Sequence, residues 1–278
     1  MHLPDTSSSV PSPAPAVIPE KDPESWSELA KTAVIALLLA LLIRSFLYDP
    51  FNIPSGSMLP TLQIGDYLFV SKRDYGYGRY SFPFGVIPFE GRIWAGDSMP
   101  QRGDIIVFHV PHSAKNPYIK RIIGLPGDRI QMINGRLILN GVMVPREPVG
   151  YERIDGGYGQ SITVTRYLET MPGGVVHDIY EVSDTGPLDN TIEYVVPAGQ
   201  YFAMGDNRDN SGDSRVMDQI GFIPWGNIIG RAEVIFFSTN GSAHLWEVWK
   251  WPMAIRYDRM FDLIGPPAVT PMAQTGAL

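Results

Sequence analysis

Three short segments hold the residue types that could do chemistry. The first, Pro54-Ser55-Gly56-Ser57-Met58-Leu59-Pro60-Thr61-Leu62, fences two serines and a glycine between prolines, which holds a hydroxyl in a rigid turn with its backbone N–H exposed. A serine hydroxyl is a poor nucleophile until a base takes its proton. The second, Asn116 to Asp128, contains Tyr118-Ile119-Lys120-Arg121-Ile122-Ile123. Strand periodicity puts Tyr118, Lys120 and Ile122 on one face and Ile119, Arg121 and Ile123 on the other. Lys120 thus shares its face with two bulky neighbours. A free lysine titrates near ~10.4, so neutrality around pH 7–8 needs a fall of about 3 units, roughly 4 kcal/mol, which burial can supply. The third segment, Met204 to Arg215, concentrates Asp, Asn, Ser and Arg just after a strand, as suits a buried polar network that clamps a site.

The competing chemistries are weaker. His109 and His112 form an H-x-x-H pair with no acidic partner at metal-ligand spacing, and there is no H-E-x-x-H. His2, His177 and His244 lie in segments without other catalytic cues. A Ser-His-Asp arrangement is assembled in space and stays open, though nothing in the sequence points to one. A calcium loop counted from Asp206 breaks its register, because Arg208 falls where an oxygen ligand belongs. No metal site and no cofactor are expected.

These segments need elements to hold them. The run from Leu29 to Tyr48 covers about 30 Å at ~1.5 Å per residue, roughly the hydrocarbon thickness of a bilayer. Its uncharged core, Ala33 to Ile43, is apolar on every face, and Lys31 and Arg44 lie near the two ends, where they can snorkel. This predicts a single membrane span at 29–48. A cleavable leader fits poorly, because the apolar run starts late and no small-x-small site follows it. Lys21 and Lys31 precede the core, whereas beyond Arg44 the next basic residue is Lys72, which favours N-terminus in and C-terminus out.

Beyond the span, Ile64–Lys72, Asp104–Val110, Tyr118–Ile123, Arg129–Ile133, Ile162–Tyr167, Ile192–Val196, Tyr201–Met204 and Arg231–Phe237 read as short strands. Asn134-Gly135 and Asn140-Gly141 are hairpin-turn dipeptides. The expected fold is mainly β: an N-terminal transmembrane helix, then an extracytoplasmic β-sheet catalytic core with a β-rich insert domain. The divisions are a flexible cytoplasmic tail at 1–28, the span at 29–48, the core at 49–141 and 197–245, a more polar insert at 142–196, and a C-terminal segment at 246–278. In that last segment Trp246, Trp249 and Trp251 could rest at a membrane interface.

Composition narrows the function classes. The chain has 278 residues, with 22 Lys+Arg against 29 Asp+Glu and a formal charge of −7, the wrong sign for a protein that tracks nucleic-acid phosphates. With 28 Gly, 25 Pro and 18% charged residues it favours turns and short strands over a helical bundle. With 0 Cys, thiolate nucleophiles, disulfides and Cys-type metal sites are all excluded.

Taken in series behind the apolar run, the segments closely resemble the bacterial type I signal peptidases, the Ser-Lys leader peptidases. The resemblance spans roughly Arg44 to Phe237 and includes Arg102-Gly103-Asp104-Ile105-Ile106-Val107-Phe108 besides the three segments above. It implies Ser57 as nucleophile, Lys120 as general base, Ser55 as a hydroxyl donor to the oxyanion hole beside the Ser57 N–H, and Ser211 as a hydrogen-bond partner that orients the Lys120 amine. Asp206, Asp213 and Arg215 would be structural near the site. Phe51, Ile53, Pro54, Met58, Leu62, Tyr118 and Ile119 would line the substrate-binding pockets. The implied partners are signal-peptide-bearing preproteins and the lipid bilayer, with no nucleic acid. The implied location is the bacterial inner (cytoplasmic) membrane, with the catalytic domain on the periplasmic side. Val216 to Phe222 departs from the aromatic-Gly stretch common in that family. Two other readings stay open: a Ser-Lys peptidase with a different substrate, and a membrane-tethered β module that binds peptides without cutting them.

Overall fold

The structure, a computed structural model, describes residues 26–82, 91–93, 99–110, 113–156, 160–243 and 247–265. The tail expected at 1–28 lies outside them up to residue 25. The chain divides into two compact units, Met1–Ala40 and Leu41–Leu278.

Helix α1 runs over Trp26–Phe46. It starts three residues before the expected boundary and stops two short of it, because Pro50 disfavours helical geometry at Asp49 and Tyr48 already pairs as a strand. Glu28 in the first turn and Arg44 in the last complement the helix dipole. Its window Trp26–Arg44 has 19 residues of mean hydropathy 1.9, long and apolar enough to cross a membrane. Leu37, Leu38 and Leu39 are all exposed. Within the second unit, the final turn is satisfied by side chains. Lys72 Nζ donates to the Arg44 carbonyl at 2.8 Å and pairs with Asp49 at 2.9 Å, while the Tyr77 hydroxyl donates to the Phe46 carbonyl at 2.5 Å.

The second unit is built of antiparallel strands. In chain order they are β1 (Tyr48–Asn52), β2 (Asp66–Ser71), β3 (Tyr77–Gly78), β4 (Arg92–Ile93), β5 (Ile105–Val110), β6 (Ser113–Gly124), β7 (Arg129–Ile133) and β8 (Arg136–Leu139). There follow β9 (Val142–Met143), β10 (Arg146–Asp155), β11 (Ser161–Met171), β12 (Val175–Glu181), β13 (Tyr194–Val195), β14 (Gln200–Met204), β15 (Ile223–Pro224) and β16 (Ile228–Ser238). A seven-stranded sheet runs β1-β2-β16-β5-β6-β14-β15, a four-stranded one β13-β7-β8-β9, and a three-stranded one β10-β11-β12. The hairpin dipeptides turn as their types dictate, with φ of 48° and 67° at Asn134 and Gly135 and 53° and 80° at Asn140 and Gly141.

One correction concerns the insert. Only β10 to β12, Arg146 to Glu181, form a sheet of their own. The two ends of the 142–196 stretch, β9 and β13, complete the sheet of β7 and β8, and Val144, Met171, Val175, Tyr194 and Val196 share an apolar cluster with Phe202 and Met204. The stretch is more polar than its flanks because β10 and β11 alternate exposed residues, yet every second side chain still needs a core to enter. The C-terminal segment is also tied to the sheet: Arg259 clasps the buried Asp66 at 2.6 Å, and Ile264 enters the apolar cluster that holds Met58 and Leu62. Trp249 and Trp251 are exposed, and Trp246 lies outside the described residues.

Candidate active site

Ser57 sits in a single 3-10 turn, Gly56–Met58, a few residues after edge strand β1. Met58 and Leu62, both fully buried, anchor this turn in the cluster formed by Ile53, Leu68, Val70, Ile105 and Val107. Burying two such side chains contributes about 1.5–3 kcal/mol each, which fixes where the turn lies. The buried backbone is held from the other side. The Asn207 N–H donates to the Ser57 carbonyl at 3.1 Å, and Asn207 Nδ2 donates to the Gly56 carbonyl at 3.0 Å.

Lys120 comes from β6, opposite Ile106 of β5. Its Nζ lies 2.6 Å from Ser57 Oγ. The residue is 3% exposed, and burial lowers its pKa to about 8, with Arg215 adding to the fall and Asp213 and Asp206 opposing it. The other candidate bases stand elsewhere. His109 lies tilted against Tyr80 with ring centroids 4.5 Å apart, and His177 lies against Glu169 at 3.4 Å. His2, His112 and His244 lie outside the described residues.

The segment after β14 wraps the pair. Gly205 has no room for a side chain, since a Cβ there would lie 2.3 Å from Ser211 Oγ and 2.4 Å from the Ser57 carbonyl oxygen. Asp213 accepts from Arg215 Nε and Nη2, both at 2.9 Å, and from the Gly205 N–H at 3.1 Å. Burial would raise its carboxyl, but these partners hold it below the usual range. Asp206 is gripped by Arg121 Nε at 2.8 Å and Nη2 at 2.7 Å and accepts the Thr61 hydroxyl at 2.6 Å. One buried fork therefore joins β6, the Ser57 turn and the loop.

Two expectations need correction. Ser211 makes no hydrogen bond to the Lys120 amine; its buried Oγ packs over Gly205, and the carboxylate it helps to hold ionised is that of Asp213. Met58 and Leu62 expose no surface and so line no open pocket, since both are consumed in anchoring the turn. The remaining residues are arranged differently. Phe51 and Ile119, both half-buried, pack on the cluster that contains Ile53, while Pro54, Ser55 and Tyr118 are exposed.

The model of the family described as "Signal peptidase, peptidase S26" matches residues 26–237. The chain belongs to this family. Among its curated relatives, a "Signal peptidase I" of Rickettsia conorii is 42% identical over 225 residues, covering 78% of this chain and 80% of that one. One from Rickettsia massiliae is 43% identical over 215 residues, covering 74% and 78%. A solved signal peptidase I from Enterococcus faecalis shares 28% identity over 48% of this chain and 97% of that one, with a TM-score of 0.28. The chain is thus a peptidase S26 hydrolase with an N-terminal apolar helix fit to anchor it in a membrane.

In this signal peptidase, Val216 to Phe222 packs without the family's aromatic-Gly pattern. The N–H groups of Gln219, Ile220 and Gly221 all donate to the Val216 carbonyl, and Ile220 and Ile223 fill the apolar cluster behind Ile106 and Phe108. Sequence reasoning missed Asn207, Thr61 and the role of Arg121, because a hydrogen bond to a backbone some 150 positions away leaves no local mark. It also missed Glu169, whose bidentate bonds to the fully buried Arg208 at 3.0 and 2.5 Å tie β11 to the loop. An arginine amid an otherwise turn-forming acidic loop was the only hint.

Proposed function

We propose that Ser57 and Lys120 form the catalytic dyad with which this membrane-anchored signal peptidase cuts signal peptides from exported preproteins. The observation that carries the reading is the 2.6 Å contact between a buried amine and the serine hydroxyl. With the pKa at about 8, roughly one amine in ten is neutral at pH 7, about 300-fold more than at the ordinary 10.5. The neutral amine takes the Ser57 proton as Oγ attacks the scissile carbonyl. The resulting oxyanion is held by the Ser57 N–H and the Ser55 hydroxyl, whose extended, exposed position leaves it free to turn toward substrate. The Lys120 ammonium then protonates the departing amine, leaving an ester on Ser57. A water that gives its proton to Lys120 hydrolyses this ester. Ser211, beside Gly205, supports the loop that closes the site, and Asp206, Asp213 and Arg215 set its shape.

Phe51 on β1 and Ile119 on β6 pack, half-exposed, on the apolar cluster whose buried floor includes Ile53 just after β1. An extended peptide laid between them would offer alternate side chains to shallow apolar sites, with Pro54 and Tyr118 at the rim. Small residues one and three positions before the cut fit such sites. The core, including β9 and β13 at the ends of the 142–196 stretch, carries this machinery, and Arg146 to Glu181 is the accessory sheet. The helix spans the bacterial inner membrane with its N-terminus in the cytoplasm, so the catalytic body meets lipid and preprotein on the periplasmic side.

The test is cleavage of a synthetic Ala-x-Ala signal-peptide substrate by the full chain in detergent. Ser57→Ala and Lys120→Met should each lower kcat by about a thousandfold or more while leaving the far-ultraviolet circular dichroism of the β body unchanged. Substantial cleavage by either purified variant would end the dyad reading, and wild-type protein inert on this substrate would favour another peptide class.

A further inference from the structure

Away from Ser57, three carboxylates converge where the accessory sheet meets the loop that closes the active site. Glu181 ends β12, Asp189 lies in the loop that follows, and Asp209 sits in the turn Arg208–Asn210, two residues before Ser211. One oxygen from each lies within 4.8 Å of the other two. Glu181 and Asp189 are 2% and 0% exposed.

Part of each group is already engaged. Glu181 Oε1 accepts from Arg146 Nη1 at 3.1 Å, and Asp189 Oδ2 from the Gly186 N–H at 2.5 Å. Asp209 Oδ2 accepts from the N–H groups of Val182 and Ser183 at 2.7 and 3.1 Å. The other oxygens of the two buried groups, Glu181 Oε2 and Asp189 Oδ1, are sealed from solvent and find no donor among the described residues. Buried acceptors are nearly always partnered, and two left orphaned in one carboxylate cluster call for a positive ligand.

We infer that Glu181, Asp189 and Asp209 form a binding site for a divalent, oxygen-preferring cation, calcium by the number of carboxylates. Carboxylates alone select hard cations over zinc or copper. Magnesium keeps most of its waters and usually takes one or two carboxylates, whereas calcium accepts more oxygens from the protein. Three carboxylates converging on one point therefore suit calcium. Arg146 beside Glu181 weakens the attraction, so the affinity belongs to the ~10⁻⁴–10⁻³ M class of extracellular calcium modules. The ion would reinforce the join that Asp209 already makes between the end of β12 and the Arg208–Asn210 turn.

The test is calorimetric titration of calcium chloride into the full chain in detergent after EDTA treatment and dialysis, with thermal unfolding measured in parallel. The expected result is one site and a Tm raised by about 3–5 °C at 10 mM calcium, with a smaller rise in 10 mM magnesium. Glu181→Gln keeps an acceptor for Arg146 but should lose both the binding heat and the Tm response. If it fails to fold, Asp189→Asn makes the same comparison. Wild-type protein whose Tm moves by less than about 1 °C, or variants that respond as the wild type does, would overturn the site.

Discussion

On the proposed dyad, the chemistry of this chain depends on the state of one amine. Lys120 titrates at about 8 because burial removes water from its ammonium form, so activity should rise through an ascending limb near pH 8. A kcat/KM profile whose only ascending limb lies near 10.5 would contradict a desolvated base. The same shift makes a stability prediction of definite sign. The folded pKa lies below the unfolded value of 10.5, so folding holds fewer protons at this site: its full contribution is present above pH 10.5, falls as pH drops through 8, and is gone below that. Lys120→Met removes the titration. In denaturant melts its stability relative to wild type should therefore improve from pH 10.5 to pH 7, by on the order of 3 kcal/mol. A difference that does not change with pH would show that the amine is solvated.

At the scale of elements, the antiparallel pair β5–β6 and the turn carrying Ser57 set the floor, and the loop from Gly205 to Arg215 sets the walls. The loop's hold on the Ser57 turn runs through backbone groups, so its residues act on rate more than on substrate affinity. Asn207→Ala removes the side-chain bond to the Gly56 carbonyl and should lower kcat about tenfold with little change in KM, measured on the signal-peptide substrate. A rise in KM at unchanged kcat would place Asn207 in substrate binding instead. Arg208 is different in kind. It is wholly buried, and truncation to Met leaves Glu169 without its partner, a loss of about 3–5 kcal/mol that denaturant unfolding would register. The conservative Glu169→Gln should cost less, since its amide still accepts from the guanidinium.

At the scale of the molecule, the apolar helix and the β body divide the work between placement and chemistry. Helix α1 is apolar and exposes leucines along its length, so its sequence is constrained by lipid. Leu38→Lys places a charge near the centre of the span, worth about 2.5–3.5 kcal/mol against insertion. The variant should shift from the membrane to the soluble fraction on cell fractionation while cleaving a soluble peptide in detergent at the wild-type rate. Unchanged partition would mean that other surfaces anchor the body. The clamp of Lys72 on Asp49 and the Arg44 carbonyl marks the junction, where the last helical carbonyls meet protein donors instead of water.

Much of this was legible in the sequence because the information is local. The apolar run, the strand alternation around Lys120 and the Asn-Gly turns each declare themselves within a few residues, by periodicity or by backbone sterics. The serine turn, the lysine strand and the acidic loop were legible as segments, with their roles implied by resemblance. Their meeting was not, since it is made by pairing β6 with β5 and β14 and by the bonds of Asn207 and Arg121 across long stretches of chain. Nor could the sequence say that Met58 and Leu62 are spent on the core, that Ser211 faces Gly205, or that Glu181, Asp189 and Asp209 converge. Burial and the distances between remote residues arise only when sheets pack. The order of residues therefore determined which groups were available, and the tertiary structure alone decided which of them are dry, paired or in contact.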